Sequence, residues 1–281
     1  MPKPKPRLQT TTLWDYPSQQ YRRDQEGRHD YQGATPAYLI WNLLKRYTRP
    51  KDLVVDPMAG SGTTLDVARD LNRRALGYDL HVVRPDVFRA DARKLPLEAG
   101  KADFVFVDPP YSDHIHYSDD PRCIGKLSAK AAPYVQAMRA VIAEMDRILR
   151  PDRYLALFVA DSSSKGQPLT PIGFTLFSML QERFVPVDVV AVVRHHQSLR
   201  RHHWHSEAAT GNYFLRGFSY LFILYKPSAR GGSPRLPDRR TPEEVSEIRE
   251  SFQDKKVDSH GKPGYAPPPP GPGAGRDREE R

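Results

Sequence analysis

Short apolar runs alternate with amphipathic segments along the first 227 residues. The runs have the length of buried strands, and most segments between them carry apolar residues every three or four positions, as helices do. The predicted strands are 52–55, 74–79, 87–91, 102–107, 154–160, 187–193 and 220–225, and the predicted helices are 36–47, 63–72, 129–149 and 172–183. This alternation favours an α/β fold with a doubly wound, mostly parallel sheet, and the last two strands are predicted to form an antiparallel pair at its edge.

The composition changes after residue 227. Residues 228–281 are rich in proline, glycine and alternating charges, and they predict a disordered tail with a short helix at 242–252. The first 30 residues are polar, and we interpret them as an arm over the domain. The predicted organisation is therefore an arm (1–30), a folded domain (31–227) and a tail (228–281).

The formal net charge of the 281 residues is +9. Residues 228–281 hold 11 Lys and Arg against 10 Asp and Glu, a net of +1, so the remaining +8 lies on residues 1–227. A basic folded body is typical of a protein that binds a polyanion, although the same charge also serves solubility.

The sequence indicates a protein of the reducing cytoplasm. No apolar run approaches the roughly 18 residues that a membrane span needs. The basic N-terminus has no apolar segment behind it, unlike a secretory signal. Cys123 is the sole cysteine of the sequence, which excludes a disulfide framework and a cysteine-rich metal site.

The strand predicted at 102–107 is followed by Asp108-Pro109-Pro110-Tyr111. Two prolines cannot continue a sheet ladder, so the strand ends there with a carboxylate, a rigid turn and an aromatic ring. Ligands of open α/β sheets bind at the carboxyl ends of the strands. The motif therefore predicts a functional site, and the alternative is a turn that only ends the strand.

A second motif, Asp56 to Thr64, follows the first predicted strand. Gly60 and Gly62 permit a tight turn, and the helix behind them offers free N–H groups. Asp79 and Asp91 end the next two predicted strands, where carboxylates can bind ribose hydroxyls and an adenine amino group. No lysine follows Gly62, unlike in a phosphate-binding loop, so the pattern favours an adenosine without phosphates; helix caps or surface charges remain the alternative for the two acids.

The two motifs, in this order and spacing, resemble the family of DNA amino-methyltransferases, which use S-adenosylmethionine (SAM) to methylate adenine N6 or cytosine N4. The resemblance spans about residues 12–227 and implies a Rossmann-like SAM-dependent methyltransferase fold. It also implies a cofactor site, including a weaker N-terminal motif at 31–36. The implied cofactor-binding residues are Thr35, Pro36, Asp56, Pro57, Ala59, Gly60, Gly62, Thr63, Thr64, Asp79, Asp91 and Ala92.

The predicted catalytic residues are Asp108, Pro109, Pro110 and Tyr111. The lone pair of an aromatic amine is delocalised into its ring, so methylation needs acceptors that draw the N–H protons aside. The Asp108 carboxylate and the Pro109 carbonyl can act as those acceptors, held in place by the prolines. Tyr111 can stack on a base that has rotated out of the DNA double helix.

The segment 194–216 holds four Arg, one Glu and five of the ten His residues, interleaved with aromatic rings. We interpret it as a nucleic-acid-binding loop, with cations for phosphate and rings for bases. His202, His203 and His205 are too closely spaced for an ordered zinc site, and we predict no metal. The predicted nucleic-acid contacts are Arg194, His195, Arg200, Arg201, Trp204, Asn212, Tyr213 and Arg216.

Double-stranded DNA is the expected partner, at the nucleoid, and several alternatives stay open. The sequence leaves open whether the target is adenine or cytosine, the oligomeric state, and a partnership with a cognate restriction nuclease. With no separate recognition domain visible, we expect a recognition site of at most about six base pairs, read by residues 112–128 and 194–216. The competing functions are an RNA base amino-methyltransferase and a non-catalytic protein that binds SAM and nucleic acid.

Overall fold

The computed structural model describes residues 5–16, 18–21, 34–110, 117–162, 169–195, 199, 201–229, 234, 245, 246 and 249. The chain divides into two compact units, residues 1–239 and 240–281, and every element described below belongs to the first. Tyr111, Arg200 and the greater part of the predicted tail lie outside the described residues; of the short helix predicted at 242–252, residues 245, 246 and 249 are described, and these three are helical.

Eight strands of the described residues form one sheet, with the order β1-β7-β8-β6-β5-β2-β3-β4. Strand β8 is antiparallel to both neighbours and the other pairs are parallel. This confirms the predicted α/β class with its mostly parallel sheet, which is Rossmann-like. The strands are β1 (Leu13–Trp14), β2 (Leu53–Asp56), β3 (Arg74–Asp79), β4 (Val87–Arg89), β5 (Ala102–Val107), β6 (Leu149–Val159), β7 (Val185–Val193) and β8 (Phe218–Lys226).

The four predicted helices are present with slightly shorter bounds. A fifth helix, α5, occupies part of the segment that was predicted to be a nucleic-acid loop, so that prediction was wrong in conformation. Its sequence has no strong apolar face, and Ala208 is its only buried residue. The helices are α1 (Ala37–Tyr47), α2 (Thr63–Asp70), α3 (Ala132–Ile148), α4 (Ile172–Gln181) and α5 (His202–Thr210).

Two hydrophobic cores cover the two faces of the sheet. In β5, Phe104 and Phe106 pack in the core on the side of α1 and α2, while Val105 and Val107 pack in the core on the side of α3 and α4. All six residues of β5 are buried, as expected for a central parallel strand covered on both faces. The strand that carries the predicted catalytic motif is therefore held rigidly from both sides.

The N-terminal residues join the sheet. Strand β1 pairs in parallel with β7, outside the predicted antiparallel pair, and Trp14 is buried. The ring of Tyr16 stacks on Tyr38 of α1 with 5.6 Å between ring centroids. These contacts fix α1, and with it residues 34–36, against the sheet.

The sheet has a topological switch point between β2 and β5. The chain runs outward from β2 through β3 to β4, and then returns to β5 on the other side of β2. The connections that leave β2 and β5 therefore diverge and open a crevice at the carboxyl ends of these strands, where open α/β sheets bind ligands. Asp56 ends β2 and Asp108 directly follows β5.

Among the described residues, no helix has the length and apolar character that a membrane span requires.

Candidate cofactor and catalytic site

A cavity opens at the switch point and encloses about 940 Å³, including its mouth to the solvent. Twelve of the predicted site residues line it, and the structure thus brings both sequence motifs together. These residues are Thr35, Asp56, Pro57, Ala59, Gly60, Thr63, Thr64, Asp79, Asp91, Ala92, Asp108 and Pro110. Pro36, Gly62 and Pro109 adjoin lining residues.

The charge of the described lining is one-sided. Four carboxyl groups line the cavity, from Asp56, Asp79, Asp91 and Asp108, and none of the described lining residues is lysine or arginine. Such a lining suits a ligand with positive charge and opposes one with phosphate groups. Its apolar part includes Leu80 and Ile124, neither of which was predicted from the sequence.

The turn between β2 and α2 is held by Asp56. One carboxylate oxygen accepts the backbone N–H of Met58 at 3.0 Å, and the other accepts the hydroxyl of Thr64 at 2.6 Å. Burial raises the pKa of Asp56 to about 7, although these two hydrogen bonds oppose the shift. The hydrogen bonds from the turn thus fix the position of the Asp56 carboxylate, and the carboxylate stabilises the turn.

Asp79 links the turn to β3. Its Oδ2 accepts the backbone N–H of Gly60 at 2.9 Å, and its Oδ1 accepts the N–H of His81 at 2.9 Å. Burial raises the pKa of Asp79, and these hydrogen bonds oppose the shift. Its carboxylate therefore faces the cavity with its position fixed by two backbone donors, and lone pairs remain for a ligand's hydroxyl groups.

Arg84, which was not predicted as a site residue, supports the glycine turn through its side-chain contacts. It makes a two-point ion pair with Asp66 at 2.8 Å through each nitrogen, pairs with Asp86, and donates to the carbonyl of Ser61 at 3.1 Å. A Cβ atom on Gly62, whose φ is +81°, would lie 2.5 to 2.8 Å from the Arg84 guanidinium and side chain. The glycine at this position is thus required by both backbone conformation and space.

Replacement of Gly62 by alanine is therefore expected to cost more than the same change at Gly100. Gly100 also has positive φ (+63°), but its Cβ would meet no atom within 4 Å. Backbone strain alone lowers the free energy of unfolding by about 1–2 kcal/mol. Because Gly62→Ala must also displace Arg84, we expect it to lower the free energy of unfolding by about 3 kcal/mol. Urea unfolding of both variants measures the difference, and equal losses would contradict the role of Arg84.

Asp108 follows β5, the strand next to the one that ends in Asp56, and its Oδ2 accepts the hydroxyl of Thr35 at 2.7 Å. Burial raises the pKa of Asp108 to about 7; the Thr35 hydrogen bond opposes the shift and the charge of Asp56 adds to it. Pro109 is buried and Pro110 lines the cavity. Tyr111, the fourth residue of the predicted catalytic motif, lies outside the described residues.

Asp91 already has a cationic partner. Arg93 donates to both of its oxygens, at 2.9 and 2.6 Å, and also reaches the carbonyl of Arg122 at 3.0 Å. Burial raises the pKa of Asp91, but the hydrogen bonds from Arg93 outweigh burial and hold it below the usual value. A contact between Asp91 and adenine stays a prediction. Cys123 also lines the cavity, as a buried thiol.

The basic segment lies near the same edge of the sheet. Arg194 follows β7 and Arg216 precedes β8, at the ends of these strands that neighbour the carboxyl end of β6. Trp204 is exposed on α5, and Nε2 of His195 donates a 2.6 Å hydrogen bond to Oδ1 of Asp15. Arg201, Asn212 and Tyr213 are also described, whereas Arg200 is not.

Exposed aromatic rings occur in this segment and next to it, and those of Phe218 and Phe174 were not predicted. Phe214 is 83% exposed and Phe218 is 44% exposed, and Phe174 at the start of α4 is 60% exposed. Phe174 and Phe218 both contact the ring of Tyr220, with centroids 5.6 and 5.1 Å apart. Arginine and aromatic side chains thus occur together at this edge of the sheet, as in surfaces that bind nucleic acid.

The strand order and the cavity at its switch point define a Rossmann-like α/β protein with an acid-lined ligand site. Residues 3–84, which include the glycine turn and Asp79, match the model of the DNA methylase family.

Curated relatives agree over short stretches. The chain is 46% identical over 44 residues to the type II methyltransferase M.HindIII of Haemophilus influenzae, 30% over 73 residues to M.HinfI of the same species, and 33% over 69 residues to the DNA adenine methyltransferase YhdJ of Escherichia coli. These alignments cover 16%, 26% and 25% of the chain. The chain spans only 14%, 20% and 23% of the length of these relatives.

Solved structures show a distant likeness. One is the geranyl diphosphate C-methyltransferase of Streptomyces coelicolor A3(2), with 14% identity, a TM-score of 0.41, and coverage of 68% of this chain and 78% of that one. Another is TrmN of Thermus thermophilus, with 20% identity, a TM-score of 0.41, and coverage of 69% and 50%. The strand order itself defines the fold class.

Proposed function

We propose that the protein is an enzyme that transfers a methyl group from SAM to the exocyclic amine of adenine or cytosine in DNA. The observation that carries the proposal is the placement of Asp108, Asp79 and the glycine turn around one cavity that lacks described basic residues. The family match of residues 3–84 supports DNA as the substrate.

The described residues fit SAM. Asp79 can accept hydrogen bonds from two ribose hydroxyls, and Leu80 and Ile124 offer an apolar wall for an adenine ring. The carboxylates of Asp56 and Asp108 favour the positive sulfonium and amino groups of SAM. When bound, SAM supplies an electrophilic methyl group on a positively charged sulfur.

Asp108 prepares the amine for reaction. Its ionised carboxylate accepts one N–H and the Pro109 carbonyl accepts the other, so that the nitrogen lone pair is directed away from both. The new N–C bond replaces the methyl–sulfur bond of SAM, whose electron pair stays with the departing thioether, and a proton is then in excess on the nitrogen. Because the pKa of Asp108 is raised to about 7, its carboxylate can take up that proton and release it to water. The base reaches the recessed carboxylate by rotating out of the duplex.

The DNA-binding surface comprises the basic segment 194–216 and the rings beside it. The six charged or polar residues that we assign to it within the described part are Arg194, His195, Arg201, Asn212, Tyr213 and Arg216, with Trp204 as a stacking group. Since the substrate is DNA, we expect the protein to work at the nucleoid.

Arg201→Ala is expected to weaken DNA binding and to reduce the slope of log affinity against log salt by about 1, as for one lost phosphate contact. Arg201 is exposed at the start of α5. Arg139→Ala is the matched control, because Arg139 is also exposed but lies on α3 in an ion pair with Glu182. Fluorescence anisotropy at several salt concentrations measures both slopes, and identical slopes would remove Arg201 from the interface.

Transfer of labelled methyl groups from SAM to unmodified DNA, tRNA and rRNA tests the function. We expect label in DNA, as N6-methyladenine or N4-methylcytosine by nucleoside mass spectrometry. Label in RNA alone would favour an RNA amino-methyltransferase. SAM binding without transfer to any of the three would favour the non-catalytic alternative.

A further inference from the structure

Thr35 makes a direct contact with the proposed catalytic carboxylate. Its hydroxyl donates to Oδ2 of Asp108 at 2.7 Å, and the residue is only 9% exposed. Thr35 precedes α1, whose first residue Ala37 donates its N–H to the carbonyl of Gln19 at 2.7 Å. The hydroxyl is therefore held by a rigid helix start, 73 residues away in sequence from the carboxylate that it contacts.

We propose that Thr35 is a positioning residue for Asp108, which directs one carboxylate oxygen to the target amine by binding the other. The proposal rests on the function proposed above. The terminal torsion of an aspartate side chain is broad, so an unrestrained carboxylate rotates over a wide range. The Thr35 hydroxyl fixes the plane of the carboxylate and takes one acceptor site of Oδ2, so Oδ1 keeps more free lone pairs to accept an amine N–H.

This contact changes the role predicted for Thr35 in cofactor binding. A hydroxyl has one proton to donate, and here that proton is directed to Asp108. A bound cofactor can thus pack against the methyl group of Thr35 or donate a hydrogen bond to its hydroxyl oxygen. Loss of the hydroxyl should accordingly affect turnover more than the affinity for SAM.

The hydrogen bond also acts on the protonation of Asp108. Burial and the charge of Asp56, at the end of β2, raise the pKa of Asp108, while the Thr35 hydroxyl lowers it. Among the described residues, the other titratable groups that line the cavity are Asp79, Asp91, Tyr117 and Cys123. Asp108 must be ionised to accept N–H, so activity falls as the pH drops through its pKa. Without the hydroxyl the pKa rises further, and this acid limb moves to higher pH.

Thr35→Val and Thr35→Ser test the proposal, because valine keeps the shape of threonine without the donor and serine keeps the donor. For Thr35→Val we expect kcat at pH 6.5 to fall roughly 10-fold or more and the acid limb to move up by about 1 pH unit. The KM for SAM should change by less than kcat does. Thr35→Ser should restore the acid limb of the wild type. A loss that lies in the KM for SAM, with an unmoved limb, would overturn the proposal.

A titration that needs no activity separates this proposal from the proposed function. The carboxyl carbon of Asp108 can be followed by NMR in protein with ¹³C-labelled aspartate and assigned by its absence in Asp108→Asn. A higher pKa in Thr35→Val, reversed in Thr35→Ser, supports the contact, and equal values in folded protein overturn it. Wild-type protein that methylates no DNA would instead contradict the proposed function, whatever the titration shows.

Discussion

Asp108→Asn is expected to lower kcat for DNA methylation on the order of 10³-fold, the loss typical when a preorganised polar group at the reacting atoms is removed. Asparagine keeps the size of the side chain but replaces one acceptor oxygen with a donor and removes the charge. An amide that presents its NH₂ group to the amine repels the N–H that Asp108 accepts. It also cannot take up the proton that leaves after transfer.

Steady-state methylation of unmodified DNA measures this loss. Asp188→Asn is the matched control, because Asp188 is an exposed aspartate on β7 and its replacement should leave kcat close to that of the wild type. The protein should stay folded, since neutralising a half-buried carboxyl whose pKa is already raised removes an unfavourable charge. Turnover within a few fold of wild type in Asp108→Asn would show that another group prepares the amine.

Asp79→Ala is expected to raise the dissociation constant for SAM roughly 10- to 100-fold, as for loss of hydrogen bonds to a charged acceptor. The substitution removes the proposed acceptor of the ribose hydroxyls. It also leaves the N–H groups of Gly60 and His81 without the carboxylate that they bind. We therefore expect the substitution both to weaken the contact with the cofactor and to distort the glycine turn.

Isothermal titration with SAM measures this effect, with Asp188→Ala as the control. Asp79→Asn separates the two causes, because its amide oxygen can still accept from Gly60 while the charge is lost. An intermediate loss in Asp79→Asn would indicate that turn support and ribose binding both contribute. Unchanged SAM affinity in Asp79→Ala would place the cofactor elsewhere.

The central part of the fold could be predicted because its patterns are local. Strand β5 is covered on both faces and appears as an unbroken apolar run, and the prolines that follow it end the strand at Val107. The turn at Gly60 and Gly62 and the acid at the end of β3 were likewise visible as residue types at strand ends. Ligands of open α/β sheets bind at the carboxyl ends of the strands. The sequence alone therefore predicted that Asp56, Asp79 and Asp108 lie at one site.

Features that depend on distant contacts could not be predicted. Strand β1 has two residues, and its pairing with β7 joins positions almost 180 residues apart. Helix α5 buries only Ala208 and has no apolar stripe to mark it. In the sequence, nothing distinguishes Arg84 from a surface arginine. Only the fold brings its side chain into an ion pair with Asp66 and into contact range of Gly62. The role that we propose for the Thr35 hydroxyl depends on its contact with Asp108, which forms only when the fold places the start of α1 next to the end of β5.

The most direct test of the proposed function is the pattern of modified bases in a bacterial host that lacks DNA methylation of its own. The chain is expressed there as wild type or as Asp108→Asn, and the genomic DNA is sequenced by a method that detects modified bases in single molecules. We expect N6-methyladenine or N4-methylcytosine at every copy of one motif of at most about six base pairs in the wild type, and at none in the variant. Unmodified DNA in both strains, or a pattern that persists in Asp108→Asn, would contradict the account.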